Sequence, residues 1–116
     1  MPLSERAYLN HLRSACLEIA RDLAQAAPEE FDQGGALRNS ILYSLIVIGE
    51  AVNQLPLDLL ARYPEIPWRS IVDLRKVLTH RYFAIDPLLV RQTADVHVPR
   101  LLSQVEIMLA EGSGMD

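Results

Sequence analysis

Four stretches of the chain repeat apolar residues at helical spacing. Tyr8, Leu12, Cys16, Ile19 and Leu23 recur at intervals of 4, 4, 3 and 4, which places them on one face of an α-helix. This spacing predicts a helix from about Ser4 to Ala27, with Ser4 as N-cap and Pro28 just past the end. Leu37, Ile41, Leu45, Ile48, Val52 and Leu55 repeat at 4, 4, 3, 4 and 3 and predict a second helix over about Ala36 to Leu55. Leu42, Ile46 and Val47 widen its stripe until the run ILYSLIVIG is apolar on most sides. That is the pattern of a central helix covered by more than one neighbour. Gly49 inside it costs about 1 kcal/mol relative to alanine, a cost that a close helix approach would justify.

Pro56 ends the second helix, and Leu57 to Tyr63 has room for one or two helical turns. Pro64 and Pro67 force a non-helical connection, YPEIPW. A third long helix is predicted over Trp68 to Tyr82. Its apolar arc is Ile71, Leu74, Val77 and Leu78, extended by Trp68 and Val72, while Arg69, Asp73, Lys76 and His80 share the opposite face. Asp86-Pro87 is a helix start, an N-cap followed by proline at the first helical position. The last helix is predicted to run to about Ala110, with Val98, Leu101, Val105 and Met108 inward and a kink or split at Pro99. A frayed tail over about 111–116 follows. No strand pattern or repeat interrupts the series, so the expected fold is all-α: an antiparallel bundle of four to five helices forming one domain over residues 1–116.

Composition narrows the functional classes. With 116 residues and half of them hydrophobic, the chain can bury a real core but not two independent ones. A pI near 5.3 argues against broad, non-specific nucleic-acid binding, which needs many cationic phosphate contacts. A small basic site is still permitted. Trp68–Tyr82 carries Arg69, Arg75, Lys76 and Arg81 against Asp73, a net +3 in a chain of net −4, and Lys76 is its only lysine. Cys16 is the sole cysteine, so no intrachain disulfide forms and a reducing compartment is the default. On its apolar stripe it reads as a small core hydrophobe. No signal-peptide pattern opens the chain and no apolar run approaches a membrane span; the expected location is the cytoplasm, away from membranes.

Candidate chemistry gathers in the third long helix. Arg75 projects into the apolar sector between Ile71 and Val72, and a charge placed there needs an acceptor. Glu50, next to the most apolar segment of the chain, is a candidate partner, with a solvated Glu beside Asn53 and Gln54 as its plainer reading. Arg75, His80 and Tyr82 form R-x4-H-x-Y, with Lys76 and Thr79 as supporting residues. Each has a plainer reading: Arg75 as an internal ion-pair residue, His80 as a solvated surface histidine, Tyr82 as a core residue with its hydroxyl at the rim. His11 and His97 stand on different helices with no carboxylate or thiol cluster near them, so no metal site is expected.

The order and identity of Gly49-Glu50-Ala51, Tyr63-Pro64-Glu65-Ile66-Pro67-Trp68, Arg75…His80-x-Tyr82 and Asp86 resemble the HepT-like branch of the HEPN-domain proteins. These are the toxin halves of HEPN/MNT toxin–antitoxin pairs. The position after the motif arginine is usually small and polar in that family, often Asn; here it is Lys76. The resemblance implies a HEPN-like bundle, metal-independent ribonuclease activity with no cofactor, and homodimers with the site at the subunit interface. It further implies an MNT-type nucleotidyltransferase antitoxin as partner, which uses ATP to adenylylate the motif tyrosine, here Tyr82.

The chemistry fits those residue types. Metal-free RNA cleavage needs a base for the 2′-hydroxyl, an acid for the leaving 5′-oxygen and a cation for the charge on phosphorus. A histidine serves as base or acid near neutrality, and arginine grips phosphate with a permanently charged planar fork. Residues five apart on a regular helix diverge by about 140°, so Arg75 and His80 cannot grip one phosphate side by side. Either the helix distorts near His80 or a groove between subunits collects both. The alternative to a ribonuclease is a non-catalytic helical module that docks a nucleotidyltransferase, and Lys76 is the residue that favours it.

Overall fold

The computed structural model describes residues 4–25, 35–80 and 86–112. Along them run six helices: α1 (Glu5–Gln25), α2 (Ala36–Gln54), α3 (Leu57–Ala61), α4 (Trp68–His80), α5 (Pro87–Gln92) and α6 (Val98–Glu111). A π-helical stretch, Thr93–His97, joins the last two. The described residues contain no strand, and the all-α bundle expected from the apolar spacing is the fold. Ala26, Ala27, Arg81 and Tyr82, assigned above to helix ends, and residues 113–116 of the expected frayed tail lie outside the described residues.

Helix α1 is built as its pattern requires. The Ser4 hydroxyl accepts the Ala7 amide at 3.1 Å, and Leu9, Leu12, Ala15, Cys16 and Ile19 are buried. α2 starts at Gly35, whose φ of 79° lies where side chains with a Cβ are strained. Its buried residues Ile41, Leu45, Ile48 and Val52 face α1 on one side and α4 on the other. The Ser40 hydroxyl donates to Asp22 at 2.6 Å, tying the start of α2 to the end of α1. α6 returns along α1, fixed by Arg13–Glu106 at 3.8 Å and by Arg6 donating to the carbonyls of Leu109 and Gly112. The helices therefore pack in the spatial order α6, α1, α2, α4.

α2 is covered by two long neighbours, α1 and α4, as its pattern predicts. Two neighbours leave part of its wide stripe open: Leu42, Ile46 and Val47 are only partly buried and Tyr43 is 69% exposed. One expectation needs correction. In α4, Val77 is 45% exposed and only Leu78 is buried. The arc drawn on a helical wheel was wider than the single neighbour, α2, can cover.

The connector YPEIPW is held by Trp68. Its indole N–H donates to the carbonyls of Leu60 and Tyr63, both at 3.1 Å, and Ile66 is buried beneath. This turns the chain between α3 and α4 despite two prolines. Asp86 caps α5 by accepting the Leu88 amide at 3.0 Å. Pro99 has the consequence expected of it, in the form of a π-turn. Lacking an N–H, it leaves the carbonyl four residues back without its α-helical donor. The ladder shifts to an i→i−5 bond from Val98 to the Thr93 carbonyl, the wider turn that absorbs such a defect without ending the helix.

Burial pushes the Cys16 thiol up to about 12. The native thiol should stay protonated and resist alkylation at pH 8, then react at the ordinary rate once the chain is unfolded in urea. Because the folded value is raised, its contribution to stability is complete below about pH 9. It is lost as the pH rises toward 12, at up to about 1.4 kcal/mol per pH unit, which a series of urea titrations would record.

Candidate active site on helices α2 and α4

The contact between α2 and α4 is set by the residue with no side chain. A Cβ built on Gly49 would stand 2.3 Å from the Cβ of Arg75, 3.0 Å from its Cγ and 3.3 Å from its Cδ. The arginine stem thus lies across the glycine, and the two backbones approach more closely than any other residue at 49 would allow. A helical side chain leans toward its own N-terminus. Arg75 leans toward Glu50, one step further along α2, so the two helices run antiparallel. Its Nη1 donates to Glu50 Oε1 at 2.6 Å.

The pair is asymmetric in burial. The Arg75 side chain is 19% exposed and that of Glu50 is 50% exposed. Arg75 Nε is buried and has no hydrogen-bond partner among the described residues. Nη1 is therefore committed to Glu50, while Nε is sealed inside the contact away from solvent. The carboxylate of this pair reaches water, and the cation is held in place by packing as well as charge.

Lys76 and His80 are both exposed, one turn apart on α4, with His80 as its last residue. The Thr79 hydroxyl donates back to the carbonyls of Arg75 and Lys76, at 3.0 and 3.1 Å. Its proton is spent on the helix, and only its lone pairs face outward. The structure brings Glu50 and Arg75 together. It does not bring His80 to Arg75, because α4 stays helical through His80 and the two side chains leave it about 140° apart. Tyr82 and Arg81 lie outside the described residues.

On another side of α4 a cleft of about 730 Å³ opens toward α6. Its apolar wall includes Leu45, Ile48, Ile71, Leu74 and Leu101, and His97 and Arg100 stand at its edge. This cleft explains why so much of α4 is half-covered, and periodicity gave no sign of it. It contains neither Arg75 nor His80. Among the described residues no group of three His, Cys, Asp or Glu side chains is placed to hold a metal ion. No described helix is long and apolar enough to cross a membrane.

An all-α bundle whose central antiparallel pair fixes an arginine, with an exposed histidine five residues on, defines a HEPN-like domain. The chain belongs to the ribonuclease HepT-like family, whose pattern it matches over residues 13–108. It is 35% identical over 88 residues to "Putative RNase MJ1216" of Methanocaldococcus jannaschii, covering 76% of this chain and 73% of that protein. To "Putative RNase MJ0125" of the same organism it is 31% identical over 106 residues, 91% of each chain. "Probable ribonuclease HepT" of Thermococcus cleftensis is 29% identical over 106 residues, 91% of this chain and 96% of the relative. No solved structure matches the chain.

Two positions test the clasp. Gly49→Ala gains up to about 1 kcal/mol of helix propensity but must push the α2 and α4 backbones apart, at about 1 to 3 kcal/mol; the net should be a lower unfolding free energy. Glu50→Ala leaves the half-buried Arg75 without its acceptor and should lose about 1 to 2 kcal/mol. Glu50→Gln, which still accepts a hydrogen bond, should lose less. Urea denaturation of the three variants checks all of this.

Proposed function

We propose that the chain is the ribonuclease toxin of a type VII-like HEPN/MNT toxin–antitoxin pair. In this reading it is a metal-independent endoribonuclease that acts through Arg75 and His80 and is neutralised by adenylylation of Tyr82. The observation that carries the reading is the fixed guanidinium of Arg75. Gly49 and Glu50 hold it between the two helices with 19% of its side chain open to solvent, where a phosphate would meet it. The relatives reported above bear ribonuclease names, which supports RNA as the substrate.

The cleavage would proceed by attack of the 2′-oxygen on the adjacent phosphorus, with the 5′-oxygen leaving. One group takes the 2′-hydroxyl proton, a second gives a proton to the 5′-oxygen, and arginine offsets the charge that builds on the phosphoryl oxygens. An imidazole titrates near pH 6.5 and serves in either role, but one imidazole cannot fill both in a single step. Two copies of the chain would supply two. The open side of α2, where Ile46 and Val47 are only half-covered, would give a homodimer an apolar contact beside Glu50, with the Tyr43 end of the same face, one turn further on, left open to the groove. The groove would then draw Arg75 and His80 from both subunits, which removes the 140° difficulty.

Lys76 supports a second reading. An exposed lysine beside the motif arginine, where the family usually has a small polar residue, would suit a non-catalytic module that docks a nucleotidyltransferase. One assay separates the two readings, RNA cleavage by the unmodified protein in EDTA. Activity is expected in the chelator. His80→Ala should abolish it with the melting temperature nearly unchanged, and Arg75→Ala should lose both activity and some stability. Light scattering should report a dimer. With a cognate nucleotidyltransferase and ATP, the chain should gain one or more adenylate masses on Tyr82 and stop cleaving RNA. A protein that cleaves nothing, yet binds the transferase, would leave only the docking reading.

A further inference from the structure

Tyr43 is the residue that the catalytic reading leaves unexplained. It is 69% exposed, on a helix whose neighbouring positions Ile41, Ser44 and Leu45 are buried. Its position follows from the Gly49–Arg75 contact. Tyr43 precedes Glu50 by seven residues, two turns of α2, so the two side chains leave that helix within about 20° of each other. α2 and α4 form an antiparallel pair related by a local dyad. The residue that follows the contact residue therefore lies on the same side of the pair in each helix: Glu50 after Gly49, and Lys76 after Arg75. His80 is one turn beyond Lys76 on that same face. Along the helix axes, Tyr43 is six residues from Gly49 and His80 is five residues from Arg75, in the same direction. At about 1.5 Å per residue they stand about 9 and 7.5 Å from the clasp. The backbone positions of Tyr43 and His80 are thus nearly level, and both residues are exposed on the same side of the helix pair.

We infer that Tyr43 is a substrate-binding residue of the same site, a platform on which one unpaired base of the RNA stacks. The substrate class is therefore single-stranded RNA. This rests on the ribonuclease reading above and adds to it what the cations do not supply. Arg75 and Lys76 recognise phosphate, which every nucleic acid carries, whereas an open aromatic face recognises a base that has left its partner. In a duplex the bases are stacked on one another and none is free to lie on the ring. Stacking one base on an aromatic side chain is worth about five- to hundredfold in affinity and tolerates any base. The site would thus select strandedness rather than sequence.

The test uses the whole protein and 2′-O-methyl oligonucleotides, which lack the nucleophile and stay intact on the wild-type enzyme. Affinities for a single strand and for the duplex of the same sequence are read by fluorescence anisotropy. Tyr43→Ala should weaken single-strand binding about five- to hundredfold, Tyr43→Phe should stay within about twofold of wild type, and duplex binding should not respond to either. The inference is overturned if Tyr43→Ala binds the single strand as wild type does, or if Tyr43→Phe fails as badly as Tyr43→Ala. It is also overturned if light scattering shows that Tyr43→Ala has lost the wild-type oligomeric state, since the ring would then be a subunit contact. Wild-type cleavage with Tyr43-independent binding removes only the stacking role. Tyr43-dependent binding without cleavage removes only the ribonuclease reading.

Discussion

The absence of a side chain at Gly49 is the constraint on which the rest of the structure depends. It lets the stem of Arg75 lie against the α2 backbone, and that contact sets the separation, the register and the relative rotation of α2 and α4. Everything on the exposed face of the pair follows from it: Glu50 within reach of the guanidinium, Lys76 and His80 exposed on the same side of the pair, and the Tyr43 backbone nearly level with that of His80. A helix loses propensity at an internal glycine, and what it gains here is a charged group held at a defined place between two helices.

The Glu50–Arg75 pair is better understood as a positioning device than as a source of stability. Half of the Glu50 side chain is in solvent, where screening and hydration limit what an ion pair contributes. Its use lies in orientation. A guanidinium with its stem packed and one edge occupied has little conformational freedom left. The same pair also keeps a permanent positive charge from standing unpaired in a half-buried position.

The open side of α2 and the cleft beside α4 have a common origin. The spatial order α6, α1, α2, α4 gives the most apolar helix two long neighbours in its own chain. What remains uncovered is divided between two places. On one, half-buried aliphatic residues adjoin the Arg75 face; on the other, Ile71 and Leu74 line a cavity toward α6. The short helices and the π-turn serve this arrangement by fitting two proline-interrupted segments into it without breaking either backbone ladder for long.

The sequence by itself determined the helices, because their evidence is local. Apolar intervals of three and four, Ser4 and Asp86 as caps, and Pro56, Pro64 and Pro67 as stops act over a single turn. It also marked Gly49, Glu50 and Arg75 as an anomaly in need of a partner, since a glycine and two charges do not suit so apolar a setting. Only the tertiary structure decided which anomaly answered which, as 25 residues separate Glu50 from Arg75 and no periodicity measures distance across helices. It likewise decided that Tyr43 and Val77 are exposed and that the cleft exists. Whether an apolar position is covered depends on how many neighbours its helix acquires, and a helical wheel has no neighbours.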